Sequence, residues 1–143
     1  MLKNIPPILG PDLLGILRAM GHGDEIAIVD ANYPADAAGP ALVRLDGVSA
    51  TDVLDAILTL MPLDDFVDDA AFCMQVVGDA DKREPVMDAF ETIVKKHEPK
   101  IGLASLERFA FYERVSHGYA IVQTGERRLY GNILLKKGVI RPA

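Results

Sequence analysis

Hydrophobic positions along this chain switch repeatedly between a helical period and short unbroken runs. Leu13, Leu14, Leu17 and Met20 recur at helical spacing, with Pro11 suited to a first turn. Gly21 and Gly23 end that helix. The run Ile26-Ala27-Ile28-Val29 has no polar alternation, which predicts a strand covered on both faces, as in a parallel sheet. Ala41-Leu42-Val43-Arg44-Leu45 is a second predicted strand. Ser49 is placed as N-cap of a helix carrying Val53, Leu54, Ile57 and Leu58, closed by Pro62. A strand over Phe72-Cys73-Met74-Gln75-Val76-Val77 follows. Pro85 then opens a helix with Val86, Phe90, Ile93 and Val94 on one face, and Lys95 and Lys96 suit its negative end. A short helix from Arg108 to Val115 and two strands, Tyr119–Val122 and Asn132–Leu135, complete the chain. Buried strands alternating with helices predict an α/β layered sandwich around a mostly parallel central sheet, joined by right-handed crossovers. The acidic segment Asp64-Asp65-Phe66-Val67-Asp68-Asp69 lacks calcium-loop spacing and reads as a solvated connection.

Composition narrows the function classes. The 143 residues are half apolar and a quarter charged, enough for one domain over 1–143 with a real core. The net charge of −6 provides no basic face, so neither nucleic acid nor an anionic membrane is an expected partner. No apolar run is long enough to span a bilayer, and the N-terminal segment does not read as a signal peptide. With a single cysteine, a reducing cytoplasm is the expected compartment.

Phosphate-cradling glycine loops, a nucleophile elbow and paired-cysteine zinc patterns are missing. Cys73 lies in an apolar strand, where a thiol is a small core group. In Gly21-His22-Gly23-Asp24-Glu25, an imidazole sits on bare backbone at a helix-to-strand turn, open to a ligand and able to exchange a proton near neutral pH. Asp24 is placed to orient the ring or ease its charging. The alternative is a surface turn with an incidental histidine. A metal site on His22 and Asp24 lacks further ligands. Asp30 follows an apolar strand directly, where open α/β sheets bind ligands, and its carboxylate can accept hydrogen bonds from sugar hydroxyls. It can equally cap a turn. Arg108 begins an aromatic segment that suits a core-facing helix. Tyr130-Gly131-Asn132 offers a phenol, bare backbone and an amide together, although alone it is only a turn.

Several segments, in order from one end to the other, resemble the L-fucose mutarotase and D-ribose pyranase family. They are Met1-Leu2-Lys3 with Ile5-Pro6-Pro7, Met20 to Ile26, Asp30 to Ala35, Arg108 to Arg114, Thr124-Gly125-Glu126, and Tyr130 to Val139. The stretch from Asp46 to Ile101 is less similar. The resemblance implies a compact α/β mutarotase fold and cofactor-free, metal-free interconversion of sugar anomers or ring forms. It implies a proton-transferring His22 and sugar contacts at Asp30, Arg108, Tyr130, Gly131 and Asn132. It also implies ring-shaped homo-oligomers, often decamers, with sites between subunits. Arg108 and Gly131 resemble the fucose branch, because the ribose branch tends to carry histidine and alanine there. Tyr33 departs from that branch, which more often has phenylalanine.

The expected activity is therefore an isomerase acting on L-fucose, with D-ribose ring forms as a further substrate. The rivals are a D-ribose pyranase, a non-catalytic sugar-binding regulatory module and a structural ring-forming protein. Eight steps along the chain separate His22 from Asp30, and a mostly extended path places them ~20–25 Å apart at ~3.3 Å per residue. One sugar cannot span that distance. Either the Gly21–Asp24 turn folds back, or each pocket is completed by a neighbouring subunit.

Overall fold

The computed structural model describes residues 1–143. Eleven elements follow one another: α1 (Pro11–Ala19), β1 (Glu25–Val29), α2 (Ala35–Ala38), β2 (Ala41–Leu45), α3 (Ala50–Leu60), β3 (Ala71–Met74), α4 (Pro85–His97), β4 (Ala104–Leu106), α5 (Arg108–Ser116), β5 (Ala120–Thr124) and β6 (Ile133–Lys136). The six strands form one sheet in the order β2-β5-β1-β6-β3-β4. The pairs β2–β5, β5–β1 and β3–β4 are parallel, whereas β6 runs antiparallel between β1 and β3. Five strands therefore share a direction, and β6 alone opposes them.

Alternation along the buried strands builds two cores from one sheet. Ile26, Ile28, Cys73, Val122, Ile133 and Leu135 face α1, α3 and α4 in the larger cluster. Their neighbours Ala27, Val29, Phe72, Met74, Ile121 and Leu134 face Phe111 and Val115 of α5 and Ala35 of α2. Because side chains alternate across a strand, an unbroken apolar run feeds both layers. This gives the layered α/β arrangement that the run pattern predicts.

Local signals set most helix ends. Ser49 Oγ accepts the Asp52 N–H at 3.1 Å at the start of α3. Glu107 accepts the N–H groups of Phe109 and Ala110 at the start of α5. Both satisfy donors that the first helical turn leaves free. The predicted strand beyond Met74 is shorter in the structure. Gln75–Val77 leaves the sheet, and a bridge from Val76 to Asp79 closes a turn at Gly78. The short elements α2 and β4 add a cap and an edge that the sequence pattern does not show. Cys73 is a buried free thiol, and burial pushes its pKa up. No helix is long and apolar enough to cross a membrane.

Candidate active site

The C-terminal end of β1 opens on a cavity of about 220 Å³ that includes Asp30, Tyr33, Arg108, Tyr112, Tyr130 and Asn132 in its wall. This is below the roughly 300–1,000 Å³ of a drug-sized site and suits one small polar molecule. Four of the residues singled out from sequence for sugar contact meet here.

Asp30 is 6% exposed and anchored on several sides. Its Oδ1 accepts the Asn32 N–H at 3.0 Å, and its own N–H donates to Asn132 Oδ1 at 2.8 Å. Burial raises its pKa, against the pull of hydrogen bonds from Asn32, Tyr33, Asn132 and Gly131. Asn132 also places its Nδ2 3.9 Å from Met74 Sδ, a weak contact that leaves the amide able to donate elsewhere. Tyr130 adopts the left-handed region at φ 62°, and its Oη accepts the Val77 N–H at 3.1 Å. The phenolic proton is thereby left for another acceptor.

Gly131 lets this loop close. A Cβ there would lie 2.6 Å from Glu126 Cγ and 3.1 Å from the Arg128 carbonyl. Glu126 in turn ties the loop to α3: its carboxylate accepts the Ala50 N–H at 3.2 Å and pairs with Arg128 Nη2 at 2.8 Å. Arg128 is the main reason its pKa falls to about 2.

Arg108 stands at the first position of α5, with its guanidinium carbon 4.5 Å from the Phe109 ring centre. Its Nε is buried without a partner. Tyr33 Oη is the other buried side-chain polar atom left unpaired in the chain. Both residues line the Asp30 cavity. Buried polar groups are normally satisfied, so two unpaired atoms on residues of one cavity wall set this region apart from the rest of the chain.

His22 lies elsewhere, beyond the N-terminal end of β1, and is absent from the wall of the Asp30 cavity. Five strand residues at about 3.3 Å each put about 16 Å between the two ends. The turn that carries His22 requires Gly23, whose φ is +88°. The imidazole Nε2 lies 3.0 Å from Asp64 Oδ1, and the ring packs at 5.2 Å from Phe66.

Two sequence expectations are corrected here. Asp24 does not hold the ring: its Oδ2 accepts the Gly21 N–H at 2.7 Å and closes the turn. The carboxylate partner of the imidazole is Asp64, from a segment expected to be a solvated connection. Asp64 is 3% exposed, while the following residues Asp65 to Asp69 are exposed. Burial works against its ionisation, but hydrogen bonds from Phe66 and His22 outweigh it and hold the carboxyl below the usual range. The signal available in sequence was the apolar pair Met61 and Leu63 just before Asp64, which draws the start of the acidic run into the fold. No group of three or more His, Cys, Asp or Glu side chains is arranged to hold a metal ion.

Arg114 also differs from a solvated helix residue. It forms a bidentate pair with Glu25 at 2.7–3.2 Å and stacks 4.2 Å from the Phe72 ring centre. It fixes α5, and with it Arg108, against the first strand.

Comparison with known proteins gives the family. Curated fucose mutarotases from Mus musculus and Danio rerio are each 44% identical to the chain, covering 97% and 99% of it and 95% and 96% of their own lengths. A crystal structure of the fucose mutarotase from Streptococcus pneumoniae in complex with L-fucose superposes with a TM-score of 0.90 at 45% identity, covering 98% of this chain and all of that one. The model of the RbsD / FucU transport protein family matches residues 3–140. The chain belongs to that family.

Proposed function

We propose that this chain is a mutarotase that interconverts the α and β anomers of L-fucose by acid–base ring opening. The observation that carries this reading is the polar cavity at the end of β1, with two buried, unpaired polar atoms in its wall, in a chain 44% identical to fucose mutarotases over nearly its full length. The relative solved with L-fucose supports the choice of sugar.

Mutarotation balances by proton movement alone. The ring oxygen gains a proton as the anomeric hydroxyl loses one. The C1–O5 bond breaks, the aldehyde turns, and the ring closes on its other face with the protons returned. Asp30 accepts from sugar hydroxyls, and Arg108 donates to them. Tyr130 offers its free phenolic proton, and Asn132 with the backbone at Gly131 fixes orientation. His22 exchanges the proton, and Asp64 holds the ring and stabilises its cationic form. One positioned acid–base group typically contributes ~10²–10⁴-fold, a sufficient gain for a reaction that already proceeds slowly in water.

Because His22 stands at the opposite end of β1 from the cavity, the working site is composite. His22 and Phe66 of one subunit complete the cavity of the next. Exposed apolar side chains support this arrangement at both ends: Phe66 beside His22, and Val77 and Leu129 in the cavity wall, with Phe109 against Arg108. A closed ring, such as a decamer, repeats that head-to-tail contact without leaving an open end. The buried free thiol of Cys73 fits a reducing cytoplasmic setting.

Saturation-transfer NMR of L-fucose tests the activity. Exchange well above the buffer rate, lost in His22→Ala, is the expected result, and equal exchange in both proteins rejects it. Exchange of D-ribose ring forms with no effect on L-fucose would assign the pyranase activity instead. The composite site has its own assay. His22→Ala and Asp30→Ala are each inactive, and mixing them restores activity in proportion to heterotypic contacts. No recovery despite confirmed subunit exchange rules out sharing.

A further inference from the structure

His22 and Asp64 lie 42 residues apart in the chain, and one short segment at the end of β6 brings them together. Towards the histidine turn, the Lys137 N–H donates to the Asp24 carbonyl at 2.9 Å, and the Lys137 carbonyl accepts the Gly23 N–H at 2.9 Å. Towards the other loop, the Lys136 carbonyl accepts the Asp64 N–H at 3.0 Å, and the Gly138 N–H donates to the Pro62 carbonyl at 2.8 Å. That loop lies so close that a Cβ at Gly138 would stand 2.4 Å from the Leu63 carbonyl oxygen. Backbone groups of successive residues in an extended segment point to opposite edges, so Lys136–Gly138 acts as a splint between the two loops.

The Lys137 side chain adds a further anchor. Its Nζ donates to the Leu17 carbonyl at 2.7 Å and to the Met20 carbonyl. Both acceptors lie at the end of α1, where the last carbonyls have no partner within the helix and carry partial negative charge. At Met20, with ψ 138°, the chain leaves the helix and enters Gly21-His22-Gly23-Asp24. One residue therefore grips the His22 turn on both sides, through Met20 before it and through Gly23 and Asp24 after it. The bond from Gly21 to Asp24 closes the turn on itself but does not set its tilt against Asp64. Burial, and then Arg18, work against the charge on Lys137, so the ammonium is held here against an opposition that a surface lysine avoids.

We propose that Lys137 is a positioning residue for the proton transfer: its ammonium locks the end of α1 to the β6 splint and so fixes the distance and angle at which His22 meets Asp64. This role rests on the mutarotase reading and deepens it. The imidazole is bonded to Asp64 and not to Lys137, and Lys137 lies outside the wall of the Asp30 cavity. Loss of the ammonium therefore slows the step that uses the imidazole and leaves sugar binding alone.

The experiment measures anomer exchange of L-fucose by saturation-transfer NMR, and L-fucose affinity by titration calorimetry, in wild type, Lys137→Met and Lys137→Arg. Methionine keeps the length of the side chain and removes the donor. Arginine keeps a cationic donor, and the groove of about 490 Å³ lined by Lys137 has room for it. In Lys137→Met, kcat is expected to fall about tenfold, less than the ~100-fold of a full 1 Å misplacement, with KM and affinity within about twofold of wild type. Lys137→Arg is expected to stay within about threefold of the wild-type kcat. Thermal unfolding confirms that each protein is folded. Lys137→Gln, whose amide ends one bond short of the ammonium position, takes the place of a methionine variant that does not fold, with the same expectations. A kcat within about twofold of wild type, a KM that rises as much as kcat falls, or an arginine variant as slow as the methionine one overturns the proposal and leaves the mutarotase reading intact. Wild-type exchange no faster than in buffer overturns both.

Discussion

At the C-terminal end of β1, Asp30 is 6% exposed and bonded to Asn32 and Asn132 within its own chain. At the N-terminal end, the His22 side chain is 44% exposed and rests on a single carboxylate and one aromatic ring. The first region is preorganised: its loop is locked by Glu126, Arg128 and the close approach at Gly131. The second region is anchored from below and open from above. A binding group benefits from rigidity, since a sugar must meet several hydroxyl partners at once. A proton carrier that works on a sugar held by another subunit must stay accessible until the subunits meet. Under the shared-site reading, one strand separates the two functions by its own length and the oligomer reunites them.

That contrast can be broken at either end. The largest effect is expected from His22→Ala: a loss of ~10²–10⁴-fold in anomer exchange, with sugar affinity by titration calorimetry changed far less. If affinity collapses together with the rate, the division between holding and proton transfer is wrong. Asp64→Asn is expected to cost up to about 100-fold in rate, the scale of a catalytic group misplaced by about 1 Å. The measurement is NMR exchange at saturating sugar, and a wild-type rate would remove Asp64 from the machinery.

Smaller effects sharpen the rigid end. Gly131→Ala forces a methyl group against Glu126 and the Arg128 carbonyl and is expected to cost about 1–3 kcal/mol in chemical denaturation. Asp30→Asn should behave in the opposite way, binding sugar poorly while stabilising the fold by about 0.5–2 kcal/mol at neutral pH. The sign follows from linkage. Burial raises the folded pKa of Asp30 above the ordinary 3.8, so its charged form penalises the native state as pH rises through that raised value. The gain should therefore vanish below about pH 3.8. Glu126 carries the reverse dependence. Its pKa is lowered from 4.5 to about 2, so its contribution is full above pH 4.5 and is lost as pH falls toward 2. Denaturation midpoints of Glu126→Gln should show a flatter acid limb than wild type over that range.

Much of the scaffold was legible in the pattern of apolar runs. Ile26–Val29 reads directly as a strand buried on both faces because β1 feeds two cores, and Ser49 marks the start of α3 because a hydroxyl is needed there. The short strand β4 was not legible, since Ala104, Ser105 and Leu106 carry too few apolar positions to show a period. Nor was the direction of β6, because Ile133, Leu134 and Leu135 look the same whichever way the strand runs. Within the site, Asp30, Arg108, Tyr130 and Asn132 stood out individually, and the structure gathers them round one cavity.

Local sequence alone determined where the chain is stiff, where it turns, and which stretches must be buried on both sides, because those properties depend on neighbours a few residues away. Only the tertiary structure decided that Asp64 rather than Asp24 holds the imidazole across 42 residues, that Tyr33 Oη and Arg108 Nε share a wall without partners, and that β1 keeps His22 away from that wall. Those facts arise from which distant surfaces meet when the sheet closes, and a hydrogen bond depends on that meeting in space rather than on spacing along the chain.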